Sequence, residues 1–281
     1  MTLSEYIGNY KFQLATLIIL LLGLYANIIP DMVKDWYHDD NYSHGFLVPI
    51  IAGYFLYCRR EELKTADVQP WNLGLIIVIA GILQLLVAWL GVEYFTMRSS
   101  LIVVIAGLVL YFFGRNIFSI ALLPICYLIF MVPLPYLIYD AMAFPLKLFV
   151  TKVSVEFLQL VGVIVMREGN IIMFPATTLE VADACSGIRS LMSLLALSVA
   201  YAFFIDISTA KRWVLIFSAV PIAILTNAVR VIVTGILAQW WGAKAAEGFF
   251  HEFAGLAVFA LAMVLLVSLG ALLGRGRKGN A

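Results

Sequence analysis

Apolar residues in this chain come in long runs separated by short polar punctuation. Several runs reach the roughly 20 residues needed to cross a hydrocarbon core. Eight spans are predicted, at about 12–29, 44–58, 73–92, 100–114, 117–132, 187–205, 213–239 and 253–273. The second is short and opens in Ser43-His44-Gly45. The first run, Phe12 to Ile29, lacks a signal-peptide cleavage pattern and is long enough to stay as a span. Pro133 and Pro135 close the fifth span, and Pro221 predicts a bend in the seventh.

The pattern changes between residues 133 and 186. Ala141 to Val165 is apolar but carries Lys147, Lys152 and Glu156, which favours a helix lying at the membrane surface. Ile171–Phe174 and Leu179–Val181 flank a proline-containing turn and predict a small hairpin. No linker, repeat or low-complexity segment divides the chain, so residues 1–281 are read as one domain. The fold class is an all-α polytopic membrane protein.

Charge then orients it. With the N-terminus inside, the inner ends carry Lys11, Arg59, Arg60, Lys64, Arg115, Lys211, Arg212, Arg275, Arg277 and Lys278. The short outer loops carry only Lys34, Arg98 and Lys244, and the first outer loop is acidic, with Asp31, Asp35, Asp39 and Asp40. This is the positive-inside distribution, and it places both termini in the cytoplasm and segment 133–186 outside.

Composition narrows the function classes. Of 281 residues, 63% are hydrophobic and 12% charged, with mean hydropathy +1.00, far from the balance of a soluble domain. A net charge of +1 offers no basic field for nucleic acid. Cys58, Cys126 and Cys185 are too scattered for a disulfide framework or a zinc site. No phosphate-binding or dinucleotide-binding loop is present, and neither a cofactor nor a metal is expected.

Three polar features fall at the outer face in this topology. Asp183-Ala184-Cys185-Ser186-Gly187-Ile188-Arg189 leads into the sixth span. Cys185 would sit at or just before a helix N-terminus, where the partial positive charge favours the thiolate, and Arg189 one turn later adds to that potential. Read structurally, the same segment is a small buried residue beside a capping Asp183 or Ser186. Arg230 interrupts the apolar run Val214–Ala238. It lies 18 residues beyond Arg212, about 27 Å along a helix and so near the outer interface. Asn227, Arg230 and Thr234 share one helical face, and Trp240 and Trp241 then mark an interfacial belt. His251 opens the eighth span, and the remaining histidines, His38 and His44, are also outside. Glu252 is placed to orient His251 or to stand free at the interface.

These residue types suit acyl transfer. A thiolate attacks a carbonyl, an imidazole protonates the leaving amine, and a guanidinium stabilises the oxyanion or holds the substrate carbonyl. Alternatives stay open: a serine intramembrane protease using Ser186 and His251, or a transporter or lipid-linked-sugar carrier binding an anion at Arg230. The division of roles between Arg189 and Arg230, and between His44 and His251, is also open.

The chain resembles the exosortase/archaeosortase family of polytopic membrane proteins. The matching pieces are Tyr42-Ser43-His44-Gly45-Phe46-Leu47-Val48-Pro49, Ala184-Cys185-Ser186-Gly187-Ile188-Arg189, Asn227-Ala228-Val229-Arg230 and His251-Glu252-Phe253-Ala254-Gly255. They cover about residues 30 to 270. The resemblance implies a cysteine protease or transpeptidase of the bacterial inner membrane, with its active site facing the periplasm. Its implied partners are exported proteins whose C-terminal sorting signal combines a short motif such as Pro-Glu-Pro, a transmembrane helix and a basic cluster, alongside membrane lipids and an unidentified acceptor. It implies Cys185, Arg230 and His251 as the catalytic set, supported by Arg189, Asn227, Ser186 and His44, in an exopolysaccharide and biofilm setting. Some bacterial members carry an extra C-terminal soluble domain, whereas this sequence ends at Ala281 with a short basic tail.

Overall fold

A computed structural model describes residues 1–175, 178–181, 187–241 and 249–275; at 240–241 and 249–252 it describes the backbone alone. Helix accounts for 83% of it, so the architecture is all-α apart from one small sheet. Among the described residues, five helices are long and apolar enough to cross a membrane. Large apolar side chains point outward along them, including Ile76, Leu83 and Val87, and Leu256, Val264 and Leu272. In water so much exposed apolar surface would drive aggregation, whereas in lipid it is the expected exterior. The chain packs as two compact units, Met1–Pro135 and Tyr136–Ala281.

In the N-terminal unit, α1 (Leu3–Leu24) starts well before the predicted residue 12. Thr2 and Glu5 form a reciprocal capping box that satisfies the first amides of the helix. The helix also ends early, and Tyr25 turns inward to share a 2.8 Å hydrogen bond with Ser100. The acidic stretch read as a loop is instead α2 (Ile28–His38), followed by a 3-10 segment over Asp40–Phe46. Next come α3 (Leu47–Cys58), α4 (Arg60–Thr65), α5 (Leu73–Leu90) and α6 (Tyr94–Tyr127). Small residues let α5 and α6 approach at Gly74, Gly81 and Gly107, where an added Cβ would meet the facing helix.

α6 covers two predicted spans, 100–114 and part of 117–132, as one long element broken at Gly114. That residue has φ +81° and ψ −173°, which an L side chain rarely adopts, and a Cβ there would collide with the Gln69 carbonyl. The sequence pattern of two apolar runs flanking a glycine thus becomes two arms meeting at a sharp kink.

The C-terminal unit contains α7 (Tyr136–Leu160), three short strands, α8 (Ile188–Phe204), α9 (Thr209–Trp241) and α10 (Phe249–Arg275). α7 begins directly after Pro135, five residues before the predicted start, and runs through Pro145. It buries Val150, Val155 and Leu158 against Ala228 and Val231 of α9, and Lys152 pairs with Glu156 on its exposed side. The predicted hairpin is present as β2 (Ile171–Met173) and β3 (Thr178–Glu180), with β1 (Met166–Glu168) added on the other edge of β2. β1 escaped the sequence reading because Met166-Arg167-Glu168 carries two charges and is exposed throughout, so no apolar run marks it.

A second core joins α8, α9 and α10 through Leu194, Leu215, Ala219, Ala262 and Leu266. Lys211 donates to the Leu273 carbonyl at 2.7 Å and so satisfies one orphan acceptor near the end of α10. α9 runs unbroken through Pro221, so the rise from Arg212 to Arg230 is helical throughout.

Candidate functional site

The polar face of α9 turns into the C-terminal unit. Thr226 and Asn227 are buried, and Arg230 and Thr234 are half-buried, while Val229 and Val233 point outward. A face of this kind within an apolar helix has to be covered by other protein, because lipid cannot hydrogen-bond to it.

Two glycines show what covers it. Gly187, the N-cap of α8, lies against Asn227: an added Cβ would stand 3.0 Å from Nδ2 and 3.1 Å from Cγ. Gly255 in α10 lies against Arg230: an added Cβ would stand 3.5 Å from Nη2 and 3.6 Å from Cζ. One turn of α9 therefore touches the start of α8 with Asn227 and the first third of α10 with Arg230. Position 251 lies one turn before Gly255 on the same helical face.

Gly187 has φ +81° and ψ −3°, the left-handed geometry that favours glycine. Its carbonyl accepts from the Leu191 amide at 2.8 Å and from the Ser190 hydroxyl at 3.3 Å, which starts the helix. Arg189 follows in the first turn of α8 and is half-buried. Cys185 and Ser186 lie outside the described residues, as do Asp183 and the side chains of His251 and Glu252. The structure thus brings together Gly187, Asn227, Arg230 and Gly255. The two glycines were quoted in the sequence motifs without a role, and spacing alone gave no sign that each is the surface a site residue rests on.

His44 lies in the N-terminal unit, in the 3-10 segment ahead of α3. Its Nε2 is 3.1 Å from the Phe130 carbonyl, which can only accept, so Nε2 carries the proton. Trp36 donates to the Met131 carbonyl at 2.8 Å and Tyr42 to the Leu134 carbonyl at 3.2 Å. Pro133 and Pro135 interrupt this stretch and supply no amides, so three side chains take the place of a regular helix cap. Loss of hydration pushes the His44 pKa down, with hydrogen bonds to the Phe130 and Asn41 backbone opposing it. Trp36, Tyr42 and His44 thus clamp the backbone at 130–134, with Gly45 packed against the Trp36 ring.

Arg98, assigned to an outer loop from sequence, sits in the second turn of α6, only 7% exposed, with Asp35 2.7 Å away. Among the described residues, no group of three His, Cys, Asp or Glu is placed to hold a metal ion.

The family model described as transmembrane exosortase matches residues 36–268, which includes all the site segments in both units. No curated protein and no solved structure matches the chain.

Proposed function

Since this chain belongs to the transmembrane exosortase family, whose role is sorting-signal processing, we propose that it is a cysteine-dependent endopeptidase and transpeptidase acting at the outer face of the bacterial inner membrane. The observation that supports this most is the convergence of the α8 start, the Asn227–Arg230 face and the Gly255 turn of α10. In this reading residues 1–281 act as one functional domain of eight spans with both termini cytoplasmic.

The chemistry follows from the residue types. The Cys185 thiolate attacks the scissile carbonyl carbon and forms a C–S bond, moving the carbonyl π electrons onto oxygen. Arg230, always charged, stabilises that oxyanion, or holds the carbonyl before attack. The intermediate collapses as the C–N bond breaks, and protonated His251 gives its proton to the leaving amine. A thioester remains at Cys185. Neutral His251 then takes a proton from water or from an acceptor nucleophile, which attacks the thioester and regenerates the thiolate. Arg189, at the start of α8, raises the positive potential around the thiolate.

The depth of the site fits a substrate anchored by a transmembrane helix. Arg230 is about 27 Å along α9 from Arg212, near the far side of a hydrocarbon layer about 30 Å thick. A signal helix with a cytoplasmic basic end would present its preceding motif at that level.

The test is the size of a co-expressed substrate bearing a C-terminal sorting signal. Wild type is expected to shorten it, and Cys185→Ala, Arg230→Ala and His251→Ala, at equal abundance, to leave it intact. Processing by Cys185→Ala would remove the thiol mechanism and direct attention to Ser186.

A further inference from the structure

We propose that the free edge of β3 is a peptide-docking strand: the extended segment of a substrate that precedes its signal helix pairs with the backbone of Thr178 and Glu180. The inference rests on the reading of this chain as a sorting-signal peptidase.

The register decides which groups are free. The Val181 amide donates to the Asn170 carbonyl at 2.9 Å, and the antiparallel pairs run Ile171 with Glu180, Ile172 with Leu179 and Met173 with Thr178. Hydrogen-bonded and non-hydrogen-bonded pairs alternate in such a ladder. Leu179 therefore turns its amide and carbonyl toward Ile172, while Thr178 and Glu180 turn theirs to the opposite side. Among the described residues, nothing pairs with those outward groups. The two residues are about 7 Å apart, the spacing of alternate residues in an extended peptide.

The usual protections of an edge are missing. Thr178-Leu179-Glu180 has no proline, no lysine and no bulge, and Thr178 and Glu180 are exposed. The core side of the sheet is anchored instead. Ile172 is 0% and Val181 1% exposed, in one apolar cluster with Ala228 and Val231 of α9. Those two residues directly follow Asn227 and Arg230. A peptide laid along β3 is thereby held near the turn that carries Arg230. The other edge lacks this tie, since Met166–Glu168 is exposed throughout and contributes no residue to that cluster.

The length of the edge says what kind of partner fits. Its outward amides and carbonyls make only a few hydrogen bonds, each worth about 1 kcal/mol net. That is too little to hold a peptide from solution or a second copy of this chain. It is enough for a peptide that its own membrane helix already confines beside the enzyme at high effective concentration. Strand addition reads backbone first, and lipid has no peptide groups to offer.

The experiment measures binding of a dye-labelled peptide, comprising a sorting motif, its signal helix and a basic end, to full-length Cys185→Ala protein in lipid nanodiscs. Glu180→Pro removes one outward amide and sets ring carbons where the peptide carbonyl would sit, at an edge position that tolerates proline. It should weaken binding at least about tenfold at an unchanged melting temperature. Glu180→Ala, which keeps the amide and gives up only a 3.4 Å contact with Asn170, should leave binding unchanged. Thr178→Pro repeats the test if Glu180→Pro fails to accumulate. A single N-methyl group walked along the peptide should weaken binding at every second position, and this scan needs no variant of the protein. Full binding by Glu180→Pro, equal losses in Glu180→Pro and Glu180→Ala, or no alternation along the peptide overturns the inference. Loss of a dimer in place of peptide binding also overturns it, because a second copy would then own the edge. No binding to the parent protein sinks the sorting-signal reading and the inference together, whereas binding that ignores the edge sinks the inference alone.

Discussion

Arg230 of α9 rests on Gly255 of α10, with the guanidinium 3.5 Å from the place a Cβ would occupy. That distance is ordinary van der Waals contact, so one methyl group fits and a branched side chain does not. Gly255→Ala is therefore expected to keep substrate processing within about threefold of wild type. Gly255→Leu should displace the guanidinium and cost at least about tenfold, equivalent to about 1.4 kcal/mol of transition-state stabilisation. Initial rates of substrate shortening check both. Equal rates for the two variants would mean that Arg230 does not work from this position.

Arg98 and Asp35 join α6 to α2 across a 2.7 Å ion pair in which the arginine is nearly inaccessible. Removing only the acid leaves a buried cation without this partner. Asp35→Asn is expected to destabilise the N-terminal unit by about 1–3 kcal/mol, at the lower part of what buried pairs give because Asp35 is itself half-exposed. Arg98→Met with Asp35→Asn, which removes both charges, should recover part of that loss. Thermal unfolding of the detergent-solubilised protein measures it, and additive losses in the double variant would argue against coupling.

His44 gives a pH dependence with a definite sign. Its pKa is lowered in the folded chain, chiefly by loss of hydration. The unfolded chain therefore binds its proton first, and stability rises with pH. The contribution is complete above the ordinary histidine pKa of about 6.5 and is lost as the pH falls from there toward the lower folded value. Melting temperature should thus drop on acidification below about 6.5, and His44→Gln, which keeps a donor for the Phe130 carbonyl, should flatten that part of the curve. A profile identical in the two proteins would contradict the clamp.

How much could be read beforehand depended on the range of each interaction. The spans predicted at 73–92, 213–239 and 253–273 correspond closely to α5, α9 and α10, because apolar length and flanking charge are local. The Asn227–Arg230 face was also legible, since i and i+3 spacing needs only one helix. What Asn227 and Arg230 touch was not: Gly187 and Gly255 are 40 residues before Asn227 and 25 residues after Arg230. His44 was open to a catalytic role from its type and its outer position, whereas its partner carbonyl at Phe130 is 86 residues away. The pairing of Arg98 with Asp35 was hidden in the same way, and α2 was missed because its four-acid neighbourhood reads as a loop when composition alone is weighed.

The account turns on Cys185 forming a covalent bond to the substrate, and the intact mass of the purified protein after brief mixing with a sorting-signal peptide tests that directly. A thioester adduct that maps to Cys185, is released by hydroxylamine and is absent from Cys185→Ala is the predicted result. An adduct on Ser186, or peptide cleavage by Cys185→Ala at the wild-type rate, would contradict it.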